Sequence, residues 1–443
     1  MIVKEFNVPI DGTLEEAVQS VCSGGLINID AGQYELSTGI TITKPLQIIG
    51  AGSHRTVIYS VAEGTIISVK IDGQFVLENV GISRSGDKVG DLLSLSASNV
   101  SVKQCAITGN GIKGADDESW VGIRVTANTI GEIEDTSVKA CRNGIIIQDN
   151  SDIRLSGNLC EDNTFSGIKF SQFAIGTVEN NNCCRNNLVG IQLSDQSKAD
   201  LSNNRCEENG NSGIAFRTSS SVTAINNTCN LNHGNGIFVF TQADVNLVGN
   251  KCEENECSGI AFIDSATGIA KHNICIRNKE DGIFISDQSN PSLVNNTCEE
   301  NTNYGISFRD SSNATAEHNT CMRNKLDGIS VSDKSKIKLI GNCCEENASD
   351  GISFIGKATG IGEQNVCNRN KSGGISISGK SKVNLTNNQC VENDSFGILY
   401  CDSTSGNAEN NICSRNREDG ILLGGKARPH LRACFKIMPA SLA

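Results

Sequence analysis

Acidic side chains recur at one register of this chain. Asp264, Asp287, Asp310 and Asp333 follow one another at a constant interval. Carboxylates stacked in this way could bind calcium, or work as an acid/base pair at raised pKa. The same residues suit a turn, where a short carboxylate accepts from backbone amides. Ser and Thr replace Asp elsewhere in the column, which favours the turn. A second acidic set lies in two insertions. SGDKVGD (85–91) carries Asp87 and Asp91, and GADDESW (114–120) carries Asp116, Asp117 and Glu118 beside the single tryptophan, Trp120. Carboxylates that hold calcium next to an indole face that holds a pyranose would make a sugar site. The plainer alternative is two hydrophilic loops. Calcium is the one cofactor these residues suggest, and no other is expected.

Other residue types invite similar tests. Cysteines recur at Cys160, Cys183, Cys206 and onward to Cys413, with the same interval as the aspartates. A straight column does not converge on a tetrahedral metal, and in-register side chains hold their Cβ atoms too far apart for bridging. Small buried thiols are therefore expected. His272 and His318 share a register but stand two repeats apart, too far for one ion. Lys334, Lys357 and Lys380 form one column, with Lys336 and Lys382 in another. They read as a solvated turn face, or as a basic strip that meets an anionic polymer. Phe238, Phe240, Ile263 and Phe284 fall on outward positions of neighbouring strands, a surface suited to a partner or to self-association.

The repeat that carries these columns fixes the architecture. Gly-Ile pairs occur at Gly144, Gly167 and so on to Gly420, and this interval too never varies. Each column cysteine has Asn two residues before it and three after, as with Asn296, Cys298 and Asn301. Asn301 itself recurs as Asn324, which gives a 23-residue period. A fixed period of this length marks a solenoid. In Gly305-Ile306-Ser307-Phe308 the apolar residues alternate, as in a strand with two inward side chains. A second such stretch is marked by Leu293, Leu339 and Leu385, and a third runs through the cysteine. Three short strands in each repeat, joined by Asn-, Gly- and Ser-rich turns, predict one coil of an all-β parallel β-helix. Inward residues then stack into columns, and the asparagines form amide ladders. Gly305 is expected to turn the chain. A two-coil period overlies the first: acid and base alternate two residues after the cysteine (Glu300, Arg323, Glu346, Arg369), with Leu231 the exception.

The ends differ from this middle. Residues 1–120 read as a cap and irregular coils, 121–425 as regular coils, and 426–443 as an irregular tail. Thr13-Leu14-Glu15-Glu16 is a capping box opening a short helix that would cover the end of the solenoid.

Composition excludes some classes. A net charge of −12 argues against a general nucleic-acid binder. No stretch approaches 18 apolar residues, so no membrane span is expected. The start, MIVKEFNVPIDGTLEE, lacks a basic region followed by an apolar core, so a cytoplasmic protein with reduced thiols is expected.

The stretch GTLEEAVQSVCSGGLINIDAGQYELSTGITITKPLQIIGAG, followed by the N-x-C-x-x-N…GI coils, resembles the right-handed parallel β-helix (pectate-lyase-like) superfold. The cap is similar to the start of pectin-esterase and NosD-like proteins. The coils are similar to carbohydrate-binding and sugar-hydrolase repeats. The resemblance implies a right-handed solenoid with an N-terminal capping helix, and a polysaccharide as a plausible partner. The catalytic signatures of polygalacturonase-like members (Asn-Thr-Asp, Asp-Asp, Gly-His-Gly, Arg-Ile-Lys on successive coils) do not occur in that arrangement. Two functions follow as expectations. One is a non-catalytic scaffold that binds a carbohydrate or protein along its side. The other is a lyase, hydrolase or epimerase acting on uronic-acid polymers. Coils without long loops to wall a cleft favour the scaffold.

Overall fold

The computed structural model describes residues 2–111, 120–219, 221–432 and 435–437. The chain forms two compact units, residues 1–222 and 223–443, each a parallel β-solenoid.

In the first unit, helix α1 (Leu14–Ser20) begins at a complete capping box. Glu16 N–H donates to Thr13 Oγ1 at 3.2 Å, and Thr13 N–H donates to Glu16 Oε2 at 2.8 Å. Its apolar face buries Leu14, Ala17 and Val18 against strands Val3–Val8 and Val21–Ile29. The strands that follow pair in parallel despite uneven spacing, as Leu46–Gly50 does with Gln74–Glu78.

The second unit shows the coil at its most regular. Sheet A runs from Asp244–Val248 to Arg428–Arg432, sheet B from Lys251–Glu253 to Phe435–Ile437, and sheet C from Ile237–Val239 to Ile421–Leu423. Neighbouring strands pair one repeat apart, so each inward residue lies on its counterpart: Ile283 on Ile306, Cys275 on Cys298, Leu293 on Ala316. Ile306, Cys298, Leu293 and Phe308 are wholly buried. Each buried Ile or Phe contributes about 1.5–3 kcal/mol. Large and small residues alternate along two columns, Phe308/Val331/Phe354 and Leu293/Ala316/Leu339, which is how neighbouring layers fill one interior without voids.

The asparagine ladders close the turns on either side of sheet B. Asn301 donates both its backbone N–H and its Nδ2 to Asn324 Oδ1, each at 3.0 Å, and Nδ2 also reaches the Cys275 carbonyl at 3.0 Å. Asn296 does the same with Asn319 Oδ1 and the Ala270 carbonyl. These amides are buried and satisfied, so a turn that would strand backbone groups is held together instead.

Two details go beyond the sequence reading. Gly305 lies at the bend that leads into sheet C, as expected, and it does more than bend the chain. A Cβ at that position would sit 2.5 Å from the Gly328 carbonyl oxygen and 2.8 Å from Cys321 Cβ, so the glycine serves close approach of successive coils. The left-handed turn residue is the alternating charged one: Glu300, Arg323, Glu346 and Arg369 have φ of 55°, 53°, 57° and 54°. At the far end the residue pattern stops at Leu423, yet Arg428–Arg432 and Phe435–Ile437 extend sheets A and B. Backbone pairing does not require the repeat's side chains.

Candidate functional site

The aspartate column lies in the turn that leaves sheet C. Asp264, Asp287, Asp310 and Asp333 have φ of 58°, 52°, 50° and 60°, and the next residues Ser265, Gln288 and Ser311 are left-handed too. Two successive left-handed residues make a tight I′-like turn, which short polar side chains tolerate. All four are exposed, and Ser286 and Ser332 donate to Asp287 and Asp333 at 2.9 Å. Among the described residues no three His, Cys, Asp or Glu side chains gather as a metal site. The column is a turn column. His272 and His318, at φ 56° and 55°, occupy the turn between sheets A and B.

Of the residues expected to form a sugar site, Asp87, Asp91 and Trp120 are described. Asp91 receives Arg124 Nε at 2.6 Å and the Val121 N–H at 2.9 Å, so its carboxylate is committed to the protein. Asp87 is exposed. Trp120 is only 8% exposed and lines a small cavity with Arg84, Leu92 and Cys141. Its indole is part of the interior and presents no platform to a pyranose. Asp116, Asp117 and Glu118 lie outside the described residues.

The outer face of sheet C in the second unit brings more together. Phe238, Phe240, Ile263 and Phe284 are half-buried. Phe238 and Phe240 stack with centroids 5.6 Å apart. The Arg309 guanidinium lies 5.4 Å from the Phe284 ring and 5.7 Å from that of Tyr304, a cation–π contact that fixes both rings. Beside this strip runs a polar network absent from the sequence reading. Asp281 Oδ1 accepts from the Tyr304 N–H at 3.1 Å, and its Oδ2 accepts from Ser307 Oγ at 2.5 Å. One repeat pair later, Asp327 accepts from the Asp350 N–H at 3.0 Å and from Ser353 Oγ at 2.6 Å. With its proton on that carboxylate, Ser353 Oγ accepts from the Ser330 hydroxyl at 3.1 Å. Asp281 and Asp327 are 3% and 6% exposed. Burial pushes both carboxyls above their ordinary range, against the opposing pull of these donors. Burial likewise raises Tyr304. The signal that could have found them is a simple one: the residue preceding each Gly-Ile pair is Asp at 281, 327 and 350, and the residue following the Ile is Ser at 307, 330 and 353.

The lysines expected as a basic strip, Lys334, Lys336, Lys357, Lys380 and Lys382, are all exposed on the turn after sheet C and on the outer face of sheet A.

The model of the right-handed beta helix region matches residues 49–197, 165–297, 240–344, 271–389 and 305–435. The chain belongs to the right-handed β-helix family. No curated protein matches the chain. Among solved structures, this β-helix is similar to the N-terminal fragment of bacteriophage Phi29 gene product 12. The TM-score is 0.54 at 12% identity, covering 95% of this chain and 90% of that one. It is also similar to the periplasmic alginate epimerase AlgG, at TM-score 0.46 and 14% identity, covering 82% and 84% of the two chains. The mannuronan C-5 epimerase AlgE6 A-module of Azotobacter vinelandii matches at TM-score 0.29 and 14% identity, covering 98% and 100%. At these identities the likeness is one of fold.

Proposed function

We propose that this β-helix is a non-catalytic scaffold that binds a carbohydrate along the outer face of sheet C in its second unit. The observation that carries this reading is the strip of half-buried rings, Phe238, Phe240, Phe284 and Tyr304, two of them held by Arg309. Fixed aromatic faces beside hydroxyls and amides suit pyranose rings, which are apolar on one face and polar at the edge. The neighbouring acids support binding over catalysis. Asp281 and Asp327 are buried and bonded to the sheet's own serines and amides, whereas a general acid must reach the bond it protonates.

The test is affinity electrophoresis of the full chain in gels containing neutral polysaccharides, backed by a glycan array. Retardation by at least one glycan is expected, with about a tenfold loss of affinity in a Phe284→Ala, Tyr304→Ala double variant. A blank array and unretarded bands overturn the proposal.

A second reading, hydrolysis, draws on the two raised carboxyls. They stand two coils apart, about 10 Å by strand spacing, close to the separation of about 6.5–9.5 Å used by inverting glycosidases. Release of reducing ends that is lost in Asp327→Asn would favour it. Unsaturated product absorbing in the ultraviolet would indicate a lyase.

A further inference from the structure

The cavity beside Trp120 in the first unit shares no residue with the sheet C strip, and its chemistry is of another kind. Arg84, the last residue of strand Gly81–Arg84, is 5% exposed, and Trp120 is 8% exposed. Both line a space of about 10 Å³, room for one particle about the size of a water molecule. The Arg84 Nη1 and Nη2 groups donate to the Ala62 and Gly64 carbonyls. Its Nε–H and the indole Nε1–H of Trp120 are buried and have no partner among the described residues. A buried donor left without an acceptor costs free energy, and a cationic one costs more. Two such donors on one small cavity call for an acceptor.

Charge decides which acceptor. Lys88 and Arg142 line the same space, and no carboxylate among the described residues does. Asp91 acts on Arg84 electrostatically, but its oxygens are committed to Arg124 and to the Val121 N–H. Cys141 also lines the cavity, and as a thiolate it would supply the counter-charge. Burial pushes its thiol up to about 12, against the pull of Arg84. Its Sγ donates to the Lys139 carbonyl at 3.3 Å, so it is neutral. Arg84 is thus a permanently charged guanidinium, buried where the neighbouring side chains bring further cations and no anion. The walls are fixed. Asn110 Nδ2 donates to the Gly86 and Lys88 carbonyls at 3.1 and 2.9 Å, which holds the 85–91 insertion against this coil.

We infer that this cavity binds one monatomic anion, chloride in the first instance, through the Arg84 Nε–H and the Trp120 Nε1–H. A water molecule accepts both hydrogen bonds but leaves the buried guanidinium uncompensated. A polyatomic oxyanion such as sulfate needs more room than the cavity has. Trp120 has φ of 91°, a backbone conformation that a bulky residue rarely adopts, and an anion on its indole helps to hold it there.

Trp120 is the single tryptophan of the chain, so its fluorescence reads this site alone. The full chain is titrated at constant ionic strength by replacing sodium gluconate with sodium chloride, bromide, iodide or sulfate. Bromide and iodide are expected to quench along a saturating curve, because a bound heavy halide touches the indole. Chloride, which does not quench, is expected to raise the half-point of iodide in proportion to its concentration, whereas sulfate leaves it in place. Arg84→Met is expected to weaken iodide binding by about tenfold or more. A Lys279→Gln control, whose lysine pairs with Glu256 at 2.7 Å, keeps it. Trp120→Phe, which keeps a ring and removes the N–H, gives an arm that does not depend on the Arg84 variant folding. Chloride in place of gluconate should raise the parent's thermal midpoint by about 2 °C or more, and the rise should fall by at least half in Trp120→Phe. Quenching that climbs without saturating, or an iodide half-point that chloride does not move, indicates a resident water and overturns the inference. Displacement by sulfate as strong as by chloride, unchanged binding in Arg84→Met, or equal midpoint shifts in parent and Trp120→Phe overturns it as well.

Discussion

Asp281 illustrates what one position in a coil is asked to do. Its carboxyl must accept the Tyr304 N–H so that the turn into sheet C is satisfied, and Asn143 and Asn235 perform the same task in their coils. They accept the N–H groups of Ser166 and Ser258 at 3.3 and 3.0 Å. A carboxylate here carries a charge that an amide does not, in a site where burial raises its pKa. Arg309 opposes the rise and Glu280 adds to it. Since the folded pKa lies above the unfolded one, the folded state holds its proton to higher pH. The associated stability is complete below the ordinary Asp value of about 3.9, and is lost as pH rises through the folded pKa. Asp327, raised for the same reason, adds to the slope. Asp281→Asn should therefore stabilise the protein by about 1 kcal/mol at pH 7, and the gain should vanish near pH 3. Urea midpoints at the two pH values check this. A variant that is less stable than the parent at pH 7 would show that the charge itself is needed.

At the scale of the coil, the glycine before each Ile has the narrowest tolerance. In Gly305→Ala the new methyl would meet the Gly328 carbonyl oxygen, Cys321 Cβ and Asn324 Nδ2 at 2.5, 2.8 and 2.9 Å. Two of these belong to backbone or ladder groups that cannot rotate away, so the coil must shift. The expected loss is about 1–3 kcal/mol or more. Ile306→Val, which deletes one methyl from the column, should cost only about 0.5–1.5 kcal/mol. Equal losses in chemical denaturation would refute the close-approach account. The position of this glycine and its bend were legible in the sequence, and its close approach to the next coil was not. Spacing identifies which residues superpose, but not that a Cα faces the next coil's carbonyl. The left-handed conformation of Glu300 and Arg323 was hidden for a related reason. Neither residue type favours it, and the asparagine that follows each, Asn301 or Asn324, is bonded into the ladder. The inward columns, by contrast, depend only on period and polarity, which a sequence displays directly. The buried acids of sheet C were missed because Asp before Gly-Ile looks like any turn residue until its serine partner is brought over it.

For the molecule as a whole, stacking makes the cysteine column a built-in reporter of order. Cys298, Cys321 and Cys344 are wholly buried and unbridged, and burial pushes their thiols up, away from the reactive thiolate. Cys22, Cys257, Cys343 and Cys401 are partly exposed. Among the described cysteines, a thiol reagent should label these four under native conditions, and leave the column untouched until the sheet signal in circular dichroism is lost. A solenoid coil contacts chiefly its neighbours, so damage should stay local at first. In Gly305→Ala, peptide mapping after pulse labelling should find Cys298 and Cys321, which flank the strained coil, modified before Cys390 and Cys413 of the same unit. Simultaneous labelling of all four would mean that the unit opens only as a whole, and that coupling along the columns outweighs the strain at any one coil. Labelling of the column in the unsubstituted protein at the rate of Cys257 would contradict a closed interior altogether.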